Sequence, residues 1–188
     1  MGYRVAKFGG SSLATAKQFE KVANIVRQDA RRKYVVPSAP GKAFDSDIKV
    51  TDLFYQYYEQ AQDAQGGQTL EKIRRRFVDI AEELGLKVDM DAEIGRIEAD
   101  IRKGASRDYA ASRGEYLSGK LLADYLGFEF FDPKEGIFFQ EDGTLDEEKT
   151  QTVLSAYLKA CLLYTSLISM PRPVAARMRK SSSNSSGA

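Results

Sequence analysis

The sequence predicts an α/β fold, a three-layer sandwich with a mostly parallel sheet between helices, in a chain too short of strands to finish that sheet. Three observations lead there. Two Val- and Tyr-rich runs flank an amphipathic stretch near the N-terminus, a long succession of helical periods follows, and only two further short apolar runs precede the last helix.

Tyr3 to Phe8 and Lys33 to Ser38 are short, apolar and bounded by turn formers, so both read as buried strands. Between them, from Thr15 to Ala30, Phe19, Val22, Ala23, Val26 and Ala30 recur at helical spacing, with Lys, Glu and Gln filling the opposite face. Strand, Gly-Ser turn, helix and strand make a βαβ unit, whose strands are parallel and whose sheet is expected to be covered on both faces. A loop rich in Pro, Gly and Asp runs from Pro37 to Asp47.

Helices are then expected at about Val50 to Ala64, Leu70 to Leu84 and Ala92 to Lys103, with Gly66 and Gly67 separating the first two. Another spans Arg107 to Leu126 and stops at Gly127, a residue suited to a left-handed helix end. Strands are expected at Phe128 to Phe131 and Ile137 to Gln140, the sequence EDGT reads as a turn, and Asp146 opens a final helix.

Composition removes several classes of function. With 43% hydrophobic and 29% charged residues, a chain of 188 residues suits one domain with a real core. No apolar run is long enough to span a bilayer and the N-terminus carries no leader pattern, so a cytoplasmic protein without a membrane partner is expected. Cys161 stands alone and there is no histidine, which excludes disulfide scaffolds, cysteine clusters, histidine metal sites and His-based triads. Without the stretch from residue 161 onward, 24 basic residues face 27 acidic ones, a net of −3. A mildly acidic body argues against a nucleic-acid partner, and Arg74, Arg75 and Arg76 read as a solvated helix face.

Residues 161–188 differ in kind. They hold Arg172, Arg177, Arg179 and Lys180, no acid, and end in SSSNSSGA. The sequence CLLYTS, Cys161 to Ser166, resembles the translated transposon end used in preparing sequencing libraries. The expectation is a non-native addition or a disordered tail beyond a functional body of residues 1–160.

The chemistry concentrates at VAKFGGSS, Val5 to Ser12. Ligands of parallel α/β sheets collect beyond the carboxyl ends of strands, where this segment lies. Gly9 and Gly10 let backbone approach an anion, amides near a helix start donate to it, and Lys7 supplies a charge. The alternative is a tight turn with Lys7 lying along the surface. The GEYLSGKL segment, Gly114 to Leu121, matches P-loop spacing only as far as its lysine, since Leu121 stands where a Ser or Thr must hold magnesium. It also falls within a helix.

Four segments together, VAKFGGSS, VVPSAPGK, KVTDLF and SRGEYLSGKLLADYLG, resemble in order and spacing the N-terminal part of the aspartate kinases, within the amino-acid kinase family. The resemblance covers nearly all of residues 1–160. It implies a truncated amino-acid kinase fold and ATP-dependent phosphorylation of the L-aspartate side-chain carboxylate, a step toward lysine, threonine and methionine. It also implies ATP and Mg²⁺ as cofactors and a homo-oligomeric full-length parent. Lys7 would stabilise the transferring phosphoryl group, and Gly9, Gly10 and Ser11 would hold phosphates. Ser38, Thr51 and Glu115 would bind aspartate, Glu115 through its ammonium group.

Plain structural roles stand beside these: a turn hydroxyl for Ser38, a helix cap for Thr51, a solvent-facing carboxylate for Glu115. Ser112, Glu115 and Gly119 share one helical face, with Gly119 leaving room for close approach. The segment GKAFDSDI before Thr51 is an insertion relative to the family pattern, and the second half of the kinase domain has no counterpart here. The chain alone is therefore expected to be weakly active or inactive. Alternatives are another amino-acid kinase, such as a glutamate kinase, or a non-catalytic anion- or amino-acid-binding module.

Overall fold

The computed structural model describes residues 2–167. Its elements are β1 (Arg4–Phe8), α1 (Ala16–Arg27), β2 (Arg32–Pro37), α2 (Val50–Gln60), α3 (Ala64–Glu83), α4 (Met90–Arg102), α5 (Arg107–Leu126) and α6 (Glu147–Leu167), with short 3₁₀ turns at Gly10–Leu13 and Pro133–Glu135. The chain divides into two compact units between Phe131 and Asp132. α6 runs across residue 160, and residues 168–188 of the expected tail lie outside the described residues.

The first unit is a βαβ unit followed by four helices. β1 and β2 pair in parallel, with Val5 opposite Tyr34, Ala6 opposite Val35, Lys7 opposite Val36 and Phe8 opposite Pro37. Paired residues share a face, so each face is legible from the register. Phe8 and Val35 pack on the core, whereas Val5 (68% exposed), Lys7 and Val36 (46%) look outward. The strands are therefore not buried and the sheet is covered on one face only, contrary to expectation. One crossover helix covers one face, and nothing among the described residues of this unit covers the other.

The core is helical. Phe19 and Val22 of α1, Phe54 and Tyr57 of α2, Ile73 and Phe77 of α3, Ile94 of α4 and Leu117 and Leu121 of α5 are each essentially inaccessible to solvent. Their spacing follows the helical repeat, which is why this part of the chain was legible in advance. Truncating a side chain such as Phe54 or Phe77 to alanine costs about 3–5 kcal/mol in such a core.

Helix ends follow local chemistry. Asp89 caps α4 by accepting from the Ala92 amide at 2.8 Å, and Ser106 caps α5 by accepting from the Tyr109 amide at 3.1 Å. Gly127 ends α5 at φ 70°, and the Phe128 amide closes back on the Ala123 carbonyl at 2.8 Å. Gly66 and Gly67 do not separate α2 from α3; both lie inside α3, and the break falls at residues 61–63. A Cβ on Gly66 would sit 2.3 Å from the Gln60 carbonyl oxygen, so glycine there permits close packing of the helical hairpin rather than breaking a helix.

The two expected later strands do not form. Phe128 to Phe131 is irregular and not a strand, and the Phe130 ring meets Tyr116 of α5 edge-on, centroids 5.4 Å apart. In the second unit, Ile137 to Gln140 contributes only an isolated antiparallel bridge between Phe139 and Leu145, around a turn at Asp142 and Gly143. Asp146 opens α6 as expected, accepting from the Lys149 amide at 3.0 Å.

Candidate active site at the strand ends

The ladder of β1 and β2 runs out at the residues that carry the chemistry. Beyond the Phe8 and Pro37 pair, the Ser38 amide donates to the Phe8 carbonyl at 3.0 Å. This extension sets the Ser38 hydroxyl beside Lys7, whose Nζ donates to Oγ at a long 3.4 Å. Both side chains remain reachable from solvent.

The two glycines divide their labour. Gly9 has φ −78° and ψ 167°, which any residue adopts, and a Cβ there would meet nothing within 4 Å. It faces open space. A Cβ on Gly10 would lie 2.7 Å from the Ala39 carbonyl oxygen and 3.0 Å from the Gly41 nitrogen. Gly10 is thus required for backbone to touch backbone, and the Gly41 amide seals that contact by donating to the Gly10 carbonyl at 2.8 Å. The Ser12 amide donates to the Gly9 carbonyl at 3.0 Å, whereas the Gly10 and Ser11 amides open the turn, where helix geometry offers no internal acceptor.

Ser38 to Gly41 is the pivot on which the other segments meet. The Pro40 carbonyl accepts the Val50 amide at 3.1 Å, tying the start of α2 to this loop. Lys49 holds the cap position of α2, so Thr51 lies one residue inside the helix and is not its cap. From the other side, α5 comes in over Gly114, where a Cβ would lie 2.6 Å from the Ala39 Cβ and 3.2 Å from Val50 Cγ1. Glu115, the next residue, is exposed. Lys7 and Gly10 are therefore brought into direct contact with the pivot, to which Ser38 itself belongs, and Thr51 and Glu115 sit next in sequence to residues that touch it.

Gly119 does not leave room for a ligand. A Cβ there would fall 2.7 Å from the Phe130 ring, so that part of the α5 face is filled by protein. Ser112 is also engaged locally, donating to the Tyr109 carbonyl at 2.8 Å and accepting from Arg113 at 2.8 Å.

A family model described as the amino acid kinase family matches residues 2–165. The chain belongs to the amino acid kinase family. It is 35% identical over 148 residues to aspartokinase 3 of Bacillus subtilis, a match spanning 72% of this chain and 33% of that protein. It is 34% identical over 125 residues to an aspartokinase of Chlamydia trachomatis, covering 64% of this chain and 27% of the relative. Among solved structures, a Clostridium acetobutylicum aspartate kinase superposes with a TM-score of 0.81 at 42% identity, over 86% of this chain and 37% of that one. The chain thus spans about a third of the length of the curated relatives it matches. The fold is a truncated α/β amino acid kinase fold.

Several features that hold this corner together were not legible in the sequence. Of the three arginines read as a solvated face, Arg75 does pair on the helix surface with Glu71 at 2.9 Å, and Arg74 pairs with Asp91. Arg76 does not fit that reading: it is largely covered and donates to the Gly41 carbonyl at 3.0 Å and to the Asp47 carboxylate. Burial pushes the Asp47 carboxyl up, but the Ala43 and Ile48 amides and the Arg76 guanidinium outweigh it and hold the group below its ordinary range. Arg113 lies over the Tyr109 and Tyr116 rings, 4.2 and 4.8 Å from their centroids, a use that the SRGE pattern did not announce.

The lysine of the P-loop look-alike also has a structural occupation. Lys120 donates to the buried Glu93 carboxylate at 2.9 Å, and the Tyr116 hydroxyl donates to its other oxygen at 2.9 Å. Burial favours the neutral acid at Glu93, yet these bonds prevail and keep its carboxyl below the usual range. Among the described residues no group of three or more carboxylate, cysteine or histidine side chains is arranged to hold a metal ion. No helix among them is long and apolar enough to cross a membrane.

Proposed function

We propose that this chain is the substrate-side part of an aspartate kinase, a transferase that phosphorylates the L-aspartate side-chain carboxylate with ATP to give 4-phospho-L-aspartate. The observation that carries the reading is the meeting of Lys7 and Ser38 at the strand ends, on a loop that Gly10, Val50 and Gly114 all touch. The aspartokinase names of the relatives at 34–42% identity support the choice of acceptor.

In this reading an oxygen of the aspartate carboxylate attacks the γ-phosphorus, the new O–P bond forms, and the bond to the β,γ-bridging oxygen breaks as ADP leaves. The carboxylate is ionised at neutral pH, so no base is required. That fits a chain without histidine. Catalysis then rests on alignment and charge neutralisation. Lys7 places its ammonium against the equatorial phosphoryl oxygens as charge spreads over them. Gly9, open to solvent, admits the phosphates to the backbone, and Gly10 and Ser11 donate to them. Ser38 and Thr51 receive the aspartate carboxylate, and Glu115 pairs with its ammonium group.

Magnesium would accompany the nucleotide phosphates in this proposal and neutralise part of their charge. The adenine side and the rest of the sheet would come from a second half of the kinase domain, so the chain alone is expected to turn over weakly or not at all. The complete protein would be a cytoplasmic homo-oligomer acting early in lysine, threonine and methionine synthesis.

A coupled assay of ADP release, run on this chain and on a protein completed with the second half, tests the reading. Turnover with aspartate and not with glutamate by the completed protein is expected. Equal use of glutamate would overturn the choice of substrate, and rapid turnover by the 188-residue chain would overturn the claim that it lacks half a site.

A further inference from the structure

The loop between Gly41 and Ile48 has little apolar packing to hold its shape. Residues 42–46 are all exposed, including Phe44 at 63%. Inside the loop the Asp47 amide donates to the Phe44 carbonyl at 3.0 Å, and Lys42 donates to the Asp45 carbonyl at 3.2 Å. These bonds shape it without anchoring it. Its anchor is Arg76 on α3, whose side chain is 15% exposed and whose two terminal nitrogens reach the two ends of the loop, the Gly41 carbonyl and the Asp47 carboxylate. Asp47 passes the tie onward by accepting the Ala43 amide at 2.7 Å and the Ile48 amide at 2.8 Å.

Gly41 is also the residue locked against Gly10. Its amide donates to the Gly10 carbonyl, and a Cβ on Gly41 would lie 2.8 Å from the Gly10 carbonyl carbon and 2.9 Å from the Ser11 nitrogen. A shift of Gly41 is therefore a shift of the Gly10–Ser11 backbone. We propose that Arg76 is a positioning residue for phosphoryl transfer: clasping Gly41 and Asp47, it holds the loop that sets the Gly10–Ser11 backbone at the phosphate corner. The proposal rests on the kinase reading above and adds a residue that touches neither substrate.

An ion pair as covered as this one contributes little net stability over an apolar replacement, because desolvation offsets the attraction. What two fixed guanidinium bonds supply is geometry, and a misplacement of about 1 Å at a reacting centre can cost on the order of 100-fold in rate. Lysine at position 76 keeps the charge but has one nitrogen for two acceptors.

Two measurements test the clasp. In the 188-residue chain, amide hydrogen exchange is followed at Ser12 and Gly41, which donate to Gly9 and Gly10, for the parent sequence, Arg76→Lys and Asp47→Asn. Exchange at these amides is expected to rise about 10-fold in both variants, with α4 and α5 unchanged; no rise, or a rise spread over those helices, overturns the proposal. In the completed kinase, kcat is expected to fall about 10-fold in each variant. The double variant should be no worse than either single one, because both break the same clasp. Unchanged kcat, or losses that multiply, also overturns it. Should the completed parent protein fail to phosphorylate aspartate, the kinase reading fails instead, and exchange still decides the role of Arg76. If Arg76→Lys does not fold, Asp47→Asn carries both measurements.

Discussion

The two faces of the β1 and β2 ribbon are made from the same ten or so residues and have opposite fates. On one face Phe8 and Val35 join the helical core; on the other Val5, Lys7 and Val36 stand in solvent. The loops at the strand ends repeat the contrast. Gly10, Ala39, Gly41 and Gly114 are in contact so close that none of the three glycines tolerates a Cβ, while Gly9 faces empty space. Parallel sheets are normally covered on both sides, so a half-covered ribbon marks where further structure belongs. The difference separates a closely packed junction of loops and helices from an open side to which Gly9 and Lys7 belong.

The largest effect should come from the open side. In the completed kinase, Lys7→Met is expected to lower kcat by about 100- to 1,000-fold, the usual cost of removing a preorganised donor to a developing anion, with the melting temperature unchanged. Steady-state kinetics with calorimetry would check this. A catalytic loss accompanied by unfolding would mean that the two sides are not separable.

On the packed side the loss should be structural. Gly114→Ala pushes a methyl group against Ala39 and Val50, neither of which can swing aside, and is expected to destabilise the chain by about 1–3 kcal/mol in denaturant titrations. Gly9→Ala, the matched change on the open side, should leave stability within about 0.5 kcal/mol.

A pH effect follows from the clasp at Asp47. Its carboxyl is held below the ordinary value of 3.8 in the folded chain. A depressed carboxyl contributes stability that is present above its unfolded value and lost as pH falls through the folded one. Asp47→Asn should therefore weaken the chain at neutral pH and flatten its loss of stability below about pH 4. Denaturant midpoints at pH 7 and pH 3 would show whether the two curves converge.

The smallest effect separates the faces directly. Val5→Thr on the bare face should change stability by less than about 0.5 kcal/mol, whereas Val35→Thr on the packed face should cost about 1–3 kcal/mol by burying a hydroxyl. Val5→Thr should also reduce any self-association measured by light scattering, since it removes apolar surface from the exposed face that Val5 and Val36 share.

Local rules account for what could be read in advance. The core stripe of α1, the opening of α6 at Asp146 and the left-handed end at Gly127 each depend on residues within a few positions of one another. The parallel βαβ unit was legible for the same reason. Errors came where partners are distant. Phe128 to Phe131 has strand composition, but Phe130 packs on an aromatic and a glycine of α5. Gly66 reads as a separator of helices and Gly119 as room for close approach, yet each is a place where another part of the unit presses in. Arg76 looked like its neighbours Arg74 and Arg75, and no short-range pattern distinguishes it, because its acceptors lie 29 and 35 positions away.

Order and type of residues were enough to point to the family, the helical periods and the residue types that stand at the mouth of β1. Those properties depend on spacing along one chain and on side-chain chemistry that folding does not alter. Which glycine faces solvent, which arginine turns inward and which side of the ribbon stays bare were settled by packing in three dimensions. Contact between remote segments is a property of the whole arrangement, and identical residues acquire different roles according to what the fold brings against them.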